Sequence, residues 1–207
     1  MQTFENSVFI NCPFDPDYDP ILQAIVFCIV HLGYYPRLSK EVEDAGQARL
    51  ETIQKIIEES KYSIHDLSRC QAKKAKEISR LNMPFELGMD FGCKRYGNYD
   101  QRQKRFLILD EQPYRLQKAL SDVNGSDIQA HRGDYRVALE KVRNWIVQTC
   151  GTTVQTGPSG ILTQYADFQS WHYQKQRDNG FSEGDIKKYP TMELMNAMLE
   201  WHHLQRT

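Results

Sequence analysis

The chain has 207 residues with 26 basic and 27 acidic side chains, a net charge of −1. That length suits one domain with a smaller addition and buries a core without covalent staples. So even a charge balance supplies no global field for nucleic acid or an anionic membrane, and neither is an expected partner. Five cysteines (Cys12, Cys28, Cys70, Cys93 and Cys150) are scattered without a CxxC pair, which reads as reduced thiols. The N-terminus has no basic, long apolar leader, and the apolar run ILQAIVFCIVHLG is too short to span a bilayer. A soluble cytoplasmic protein is the expectation.

In chain order, Ser7 to Asn11 (SVFIN) reads as a buried parallel strand. A loop rich in Pro and Asp follows, and Asp19-Pro20 opens a first helix running to about His31, with Gly33 as its stop. Being apolar nearly all round, this helix is expected to be buried on more than one side. Tyr34 to Leu38 makes a short second strand. The loop SKEVEDAGQ then leads into the helix ARLETIQKIIEESK, with Leu50, Ile53, Ile56 and Ile57 on one face.

The stretch from Tyr62 to Gly97 is read as the centre of the molecule. It comprises a strand (YSIHDLS), a charged loop, and a helix opened by Asn82 and Pro84. Arg105 to Asp110 is a fourth strand, residues 112–123 a loop and short helix, and Ser126 to His131 a last strand. Asp134 then caps a helix that Gly151 ends. This alternation predicts a three-layer α/β fold of flavodoxin-like kind over residues 1–150, with a five-stranded parallel sheet in the order 2-1-3-4-5. Residues 152–160 (TTVQTGPSG) read as a linker. Helical segments near 161–178 and 191–205, separated by DNGFSEGD, then form a small appendage over 151–207.

In such a sheet, ligands bind beyond the carboxyl ends of the strands, where the winding reverses between strands one and three. Asn11, Cys12, Phe14 and Asp15 end the first strand, and Asp66, Ser68 and Arg69 end the third. Glu86 is expected in the first turn of the next helix, where free N–H groups and the helix dipole favour an ionised acid facing outward. The rim is therefore expected to carry carboxylates. Cleaving an N-glycosidic bond builds positive charge on the sugar, which a carboxylate can stabilise or attack.

Glu86 and Asp66 are the candidate catalytic pair. Asn11, Cys12, Phe14, Asp15, Ser68, Arg69, Asn82 and Gln47 are candidates for substrate binding. Four of these have a competing structural reading: Glu86 as a complement to the helix dipole, Asp66 as a cap of its loop, and Asn11 and Asp15 as a strand-to-loop turn. His65 reads as a satisfied core histidine, and the basic run at 94–95 and 102–105 as a solvated loop. No metal-ligand spacing, P-loop or nucleophile elbow is present, and no cofactor is expected.

Two motifs carry a resemblance. Phe9 to Phe14 (FINCPF) resembles the first strand and loop of nucleoside 2-deoxyribosyltransferases, and Asn82 to Gly88 (NMPFELG) resembles their nucleophile segment. The run from Ala45 through YSIHDLS to FEL also resembles the Toll/interleukin-1 receptor (TIR) domain, where a helix after the strand carries a catalytic Glu. The whole chain is similar to bacterial proteins that open with VFINCPFD and carry NMPxELG.

These resemblances imply a nucleotide N-glycosidase, acting on NAD or a related nucleotide, in antiphage defence. Self-association or a defence-system protein partner is implied with it, the loop around Gly46-Gln47-Ala48-Arg49 being either a lid or an assembly surface. Two departures stand out: Arg80 occupies the place of the deoxyribosyltransferases' Asp, and Asn82 that of the TIR enzymes' Trp. Without that Asp, a leaving group that is already cationic, such as nicotinamide, becomes the better fit. The other expectations to be weighed are a sensor that binds a nucleotide signal without turnover, and an assembly module.

Overall fold

The computed structural model describes residues 2–41, 48–70, 79–116 and 127–205. Five strands form one parallel sheet: β1 (Ser7–Asn11), β2 (Tyr35–Leu38), β3 (Tyr62–Asp66), β4 (Arg105–Asp110) and β5 (Ile128–Ala130). Their spatial order is β2-β1-β3-β4-β5, the expected one, with Asn11 level with His65 across the β1–β3 pair. Helices α1 (Asp19–His31) and α4 (Tyr135–Thr149) cover one face, while α2 (Arg49–Glu58) and α3 (Asn82–Tyr96) cover the other.

Alternation along each strand sorts the core. Val8, Ile10, Ile64, Leu107 and Leu109 join the cluster under α1 and α4. Phe9 instead meets Ile53, Ile56 and Ile57 of α2, and Ile108 meets Met83 and Leu87 of α3. The sequence accounts for the ends of the helices as well. Gly33 and Gly151 take positive φ just past α1 and α4, and the Asp134 side chain accepts the Arg136 N–H at 2.8 Å to cap α4.

The apolar α1 is buried on two sides, as its composition predicts. Beyond it lie α5 (Pro158–Asp178), α6 (Glu183–Lys187) and α7 (Thr191–Leu204). The Phe27 ring of α1 meets Tyr165, Phe168 and Trp201 with centroids 5.1, 5.6 and 5.6 Å apart. Each aliphatic side chain buried on α1 contributes roughly 1.5–3 kcal/mol.

Several expectations need correction. The separator DNGFSEGD contains the start of α6, which a capping box between Ser182 and Asp185 stabilises. β5 is shorter at both ends than 126–131, and α5 begins inside the expected linker, with Pro158 in its first turn. Lys104 is no solvated loop residue. It is fully buried, its ammonium donating to the Ile57 carbonyl at 2.7 Å and to the Ser60 carbonyl. The short helix expected within 112–123 lies, from residue 117 on, outside the described residues. No helix among the described residues is long and apolar enough to cross a membrane.

Candidate functional site

The carboxyl ends of β1 and β3 are adjacent, and the chain winds away from them in opposite directions, which is where open α/β sheets bind ligands. The Asn11 amide ties this rim to α3. It donates one N–H to His65 Nδ1 at 3.0 Å and one to the Met83 carbonyl at 2.8 Å. With both hydrogens committed, only the Asn11 carbonyl oxygen remains for other partners, and that oxygen can only accept. Asn11 therefore joins a strand to a helix, and a turn is not its role.

His65 Nε2 donates to Asp90 Oδ2 at 3.0 Å, and Lys104 Nζ pairs with Asp90 Oδ1 at 3.1 Å. All three side chains are buried. Because Nδ1 accepts, the proton of a neutral His65 sits on Nε2, and the carboxylate fixes that tautomer. Burial works against the Asp90 charge, but the His65 hydrogen bond, His65 and Lys104 hold its pKa below the usual carboxylate range. His65 is a satisfied core histidine, as expected from sequence, and it also links β1, β3 and α3.

Glu86 differs from its expected setting. The helix begins at Asn82, with Leu81 in the N-cap position, so Glu86 is one turn in rather than beside free N–H groups. Its residue is only 7 % exposed, and its carboxylate has no hydrogen-bond partner among the described residues. Burial raises its pKa to about 7, against the weaker opposing pull of the Arg49 guanidinium at the start of α2. The permanently ionised, outward-facing acid is thus corrected to a desolvated one that changes charge near neutrality. Asn82 is exposed and makes no side-chain cap.

Asp66 is wholly buried and saturated. It accepts from Tyr18 Oη at 2.6 Å and the Ser68 N–H at 2.9 Å, and His131 Nε2 lies 3.0 Å away. Burial raises the pKa of Asp66, yet these donors outweigh it and leave the carboxyl below its usual range. An acid enclosed this way orients its neighbours, and its carboxylate is taken up by these donors. The Ser68 contact is the Asx-type cap that competed with a catalytic reading.

Ser68, His131 and Asp66 superficially suggest a hydrolytic triad. However, His131 Nδ1 accepts the Gly133 N–H at 3.0 Å, so in the neutral ring Nε2 carries the proton. That same Nε2 is the atom 2.9 Å from Ser68 Oγ, so it cannot take the serine proton. The cluster clasps three loops. Tyr18→Phe should cost roughly 1.5–3 kcal/mol at pH 7, as hydrogen bonds to ionised groups do. In urea titrations that penalty should fade as acid protonates Asp66, below the ordinary carboxylate range, because a lowered folded pKa contributes stability only above it.

The remaining candidates divide. Cys12 is buried, and its thiol pKa is pushed well above the usual value by burial and by the Asp66 and Glu86 charges. It is no nucleophile, but it marks how closely the two carboxylates converge on the end of β1. Asp15 pairs with Arg69 at 3.2 Å and with Arg80 at 3.4 Å, and Arg69 also faces Glu111 at 3.7 Å. A phosphate reaching Arg69 would have to compete with two carboxylates.

Phe14 lies under the Lys40 ammonium, 4.7 Å from its ring centre, and lines a 510 Å³ hollow against Tyr189, Thr191 and Glu193 rather than the Glu86 rim. Gln47 lies outside the described residues. Sequence reasoning missed Tyr18, His131 and the effect of Arg49. His131 had a signal, since it ends the last strand on the same edge of the sheet; Tyr18 had none. Among the described residues there is no cluster of three or more His, Cys, Asp or Glu able to hold a metal ion. No protein-family model, no curated protein and no solved structure matches the chain.

Proposed function

We propose that the protein breaks or cyclises the N-glycosidic bond of NAD or a related nucleotide, with Glu86 as the acting carboxylate. One observation carries this reading: Glu86 is desolvated, without a hydrogen-bond partner among the described residues, and poised near pH 7 at the switch point of the sheet. Structural acids in this molecule look different: Asp66 is saturated, and Asp90 is paired with His65 and Lys104. In the proposed reaction the C1′–N bond breaks with its electron pair leaving on the base. Ionised Glu86 stabilises the cationic sugar, and water adds to C1′ with loss of a proton.

Arg80 points its guanidinium at Asp15, so the position offers no acid to protonate a departing base. A base that leaves from a cationic glycoside needs none, which favours NAD among nucleotides. The resemblance to deoxyribosyltransferases and TIR enzymes agrees with this reading, and with it we propose a role in bacterial defence.

The test is release of free base from NAD and a nucleotide panel at pH 8, followed by mass spectrometry for wild type and Glu86→Gln. Release by wild type that falls at least about 10³-fold in the variant is expected, the scale for loss of a group acting in the transition state. Equal release by both proteins removes Glu86 from the mechanism. The sensor reading draws on the low exposure of Glu86; ligand binding by calorimetry with no product would favour it.

A further inference from the structure

The buried network beneath the rim runs along α3 past Glu86. Met83, Glu86, Leu87 and Asp90 form the buried side of that helix, so Glu86 lies one turn after Met83 and one turn before Asp90. The Asn11 amide donates to the Met83 carbonyl at 2.8 Å, and His65 donates to Asp90 Oδ2 at 3.0 Å. Asn11 and His65 are level with each other across β1 and β3 and are joined at 3.0 Å. The acid at the rim is therefore flanked, along its own helix, by the two ends of one hydrogen-bonded chain.

The direction of every bond in that chain follows from its buried end. Lys104 pairs with Asp90 at 3.1 Å, and Asp90 takes the His65 Nε2 proton, so His65 Nδ1 has to accept. Nδ1 then claims one Asn11 N–H, and the Met83 carbonyl, which can only accept, claims the other. Turning the amide over would set its oxygen against one of these acceptors and leave that contact without a proton. Asn11 is buried and so belongs to the floor of the switch-point crevice, where it offers a ligand an acceptor and nothing else. Glu86, once ionised, is a second acceptor one helical turn from the Asn11 contact. Two acceptors so placed favour a hydroxyl donor and repel a phosphate or a carboxylate.

We infer that Asn11 reads the sugar of the substrate: its carbonyl oxygen accepts the 2′-hydroxyl, and His65 is the positioning residue that keeps that oxygen turned to the ligand. This rests on the reaction proposed above and narrows its substrates to ribosyl compounds, against 2′-deoxyribosyl ones. The hydroxyl is the 2′ group because Glu86 acts at C1′ and the next carbon of the ring carries it. The resemblance to 2-deoxyribosyltransferases, taken alone, points to the other sugar.

The test is calorimetry on the full chain carrying Glu86→Gln, comparing NAD with NAD that lacks the 2′-hydroxyl on its nicotinamide ribose. NAD should bind roughly tenfold more tightly, about 1.4 kcal/mol, the scale of one hydrogen bond. Adding Asn11→Leu or His65→Leu should bring the ratio to about one by weakening NAD alone, whereas a purely structural role would weaken both ligands alike. His65→Gln, which carries an acceptor and a donor on one flat group, should keep the preference. Equal affinity of the parent for the two ligands overturns the inference and needs no further variant to fold. So does a tenfold preference that survives Asn11→Leu; in either case, base release by the wild type leaves the proposed reaction standing. If neither ligand binds and the wild type releases no base, the reaction is refuted and the inference with it.

Discussion

Glu86→Gln is expected to make the protein more stable while it abolishes base release. The carboxyl pKa rises from 4.5 to about 7 on folding, which at roughly 1.4 kcal/mol per unit corresponds to about 3 kcal/mol spent on keeping the ionised group buried. Gln keeps the size and removes the charge but leaves its own amide unpaired, so a net gain of about 1–2 kcal/mol is expected at pH 8. Between pH 4.5 and 7 the folded state holds more protons than the unfolded state. Wild-type stability therefore falls as pH rises through that window, and the variant's advantage grows with it. At pH 4, where the charge penalty is gone and the amide cost remains, the variant should be the less stable by about 1–2 kcal/mol. A structural carboxylate would give the opposite sign, and stability exchanged for activity is the mark of a functional group.

Lys104→Met is expected to be among the most damaging single changes in the chain. It strips the buried Asp90 of its cation and leaves the Ile57 and Ser60 carbonyls without their donor. Breaking a buried ion pair from one side costs roughly 3–5 kcal/mol, because the remaining charge stays desolvated. Asp90→Asn should be costly for the same reason. The double variant should cost less than the sum of the singles by about 1–3 kcal/mol, the coupling that contacting residues show. Equilibrium urea unfolding of the four proteins measures this cycle. Asp90 lies one helical turn beyond Glu86 on α3, so the network also fixes the face that α3 presents to the rim.

The sheet was legible in the sequence because its strands are continuous apolar runs and their alternation with helices permits few topologies. SVFIN and RFLILD fall where expected, and the all-round apolar α1 announced its two-sided burial. Local punctuation also read correctly at Gly33, Asp134 and Gly151, where a single residue decides the geometry. The site was less legible. The helix begins at Asn82 as expected, but Glu86, four residues further in, lies beyond the free N–H groups, and burial makes it a desolvated acid instead of a dipole-stabilised anion. Asp66 owes its saturation to Tyr18 and His131, partners 48 and 65 residues away in the chain (66 − 18 and 131 − 66). No spacing rule reaches that far. Lys104 read as solvent-facing because its neighbours in sequence are polar, whereas its neighbours in space are carbonyl oxygens at the base of α2.

The proposed role of Glu86 requires a buried acid poised near neutrality and within reach of a ligand. It is tested most directly by NMR titration of glutamate carboxyl carbons in isotopically labelled protein, with and without NAD. One glutamate should titrate at about 7, vanish in Glu86→Gln, and shift when NAD is added. If every glutamate instead titrates in the ordinary carboxylate range and none responds to NAD or to the nucleotide panel, the account is contradicted.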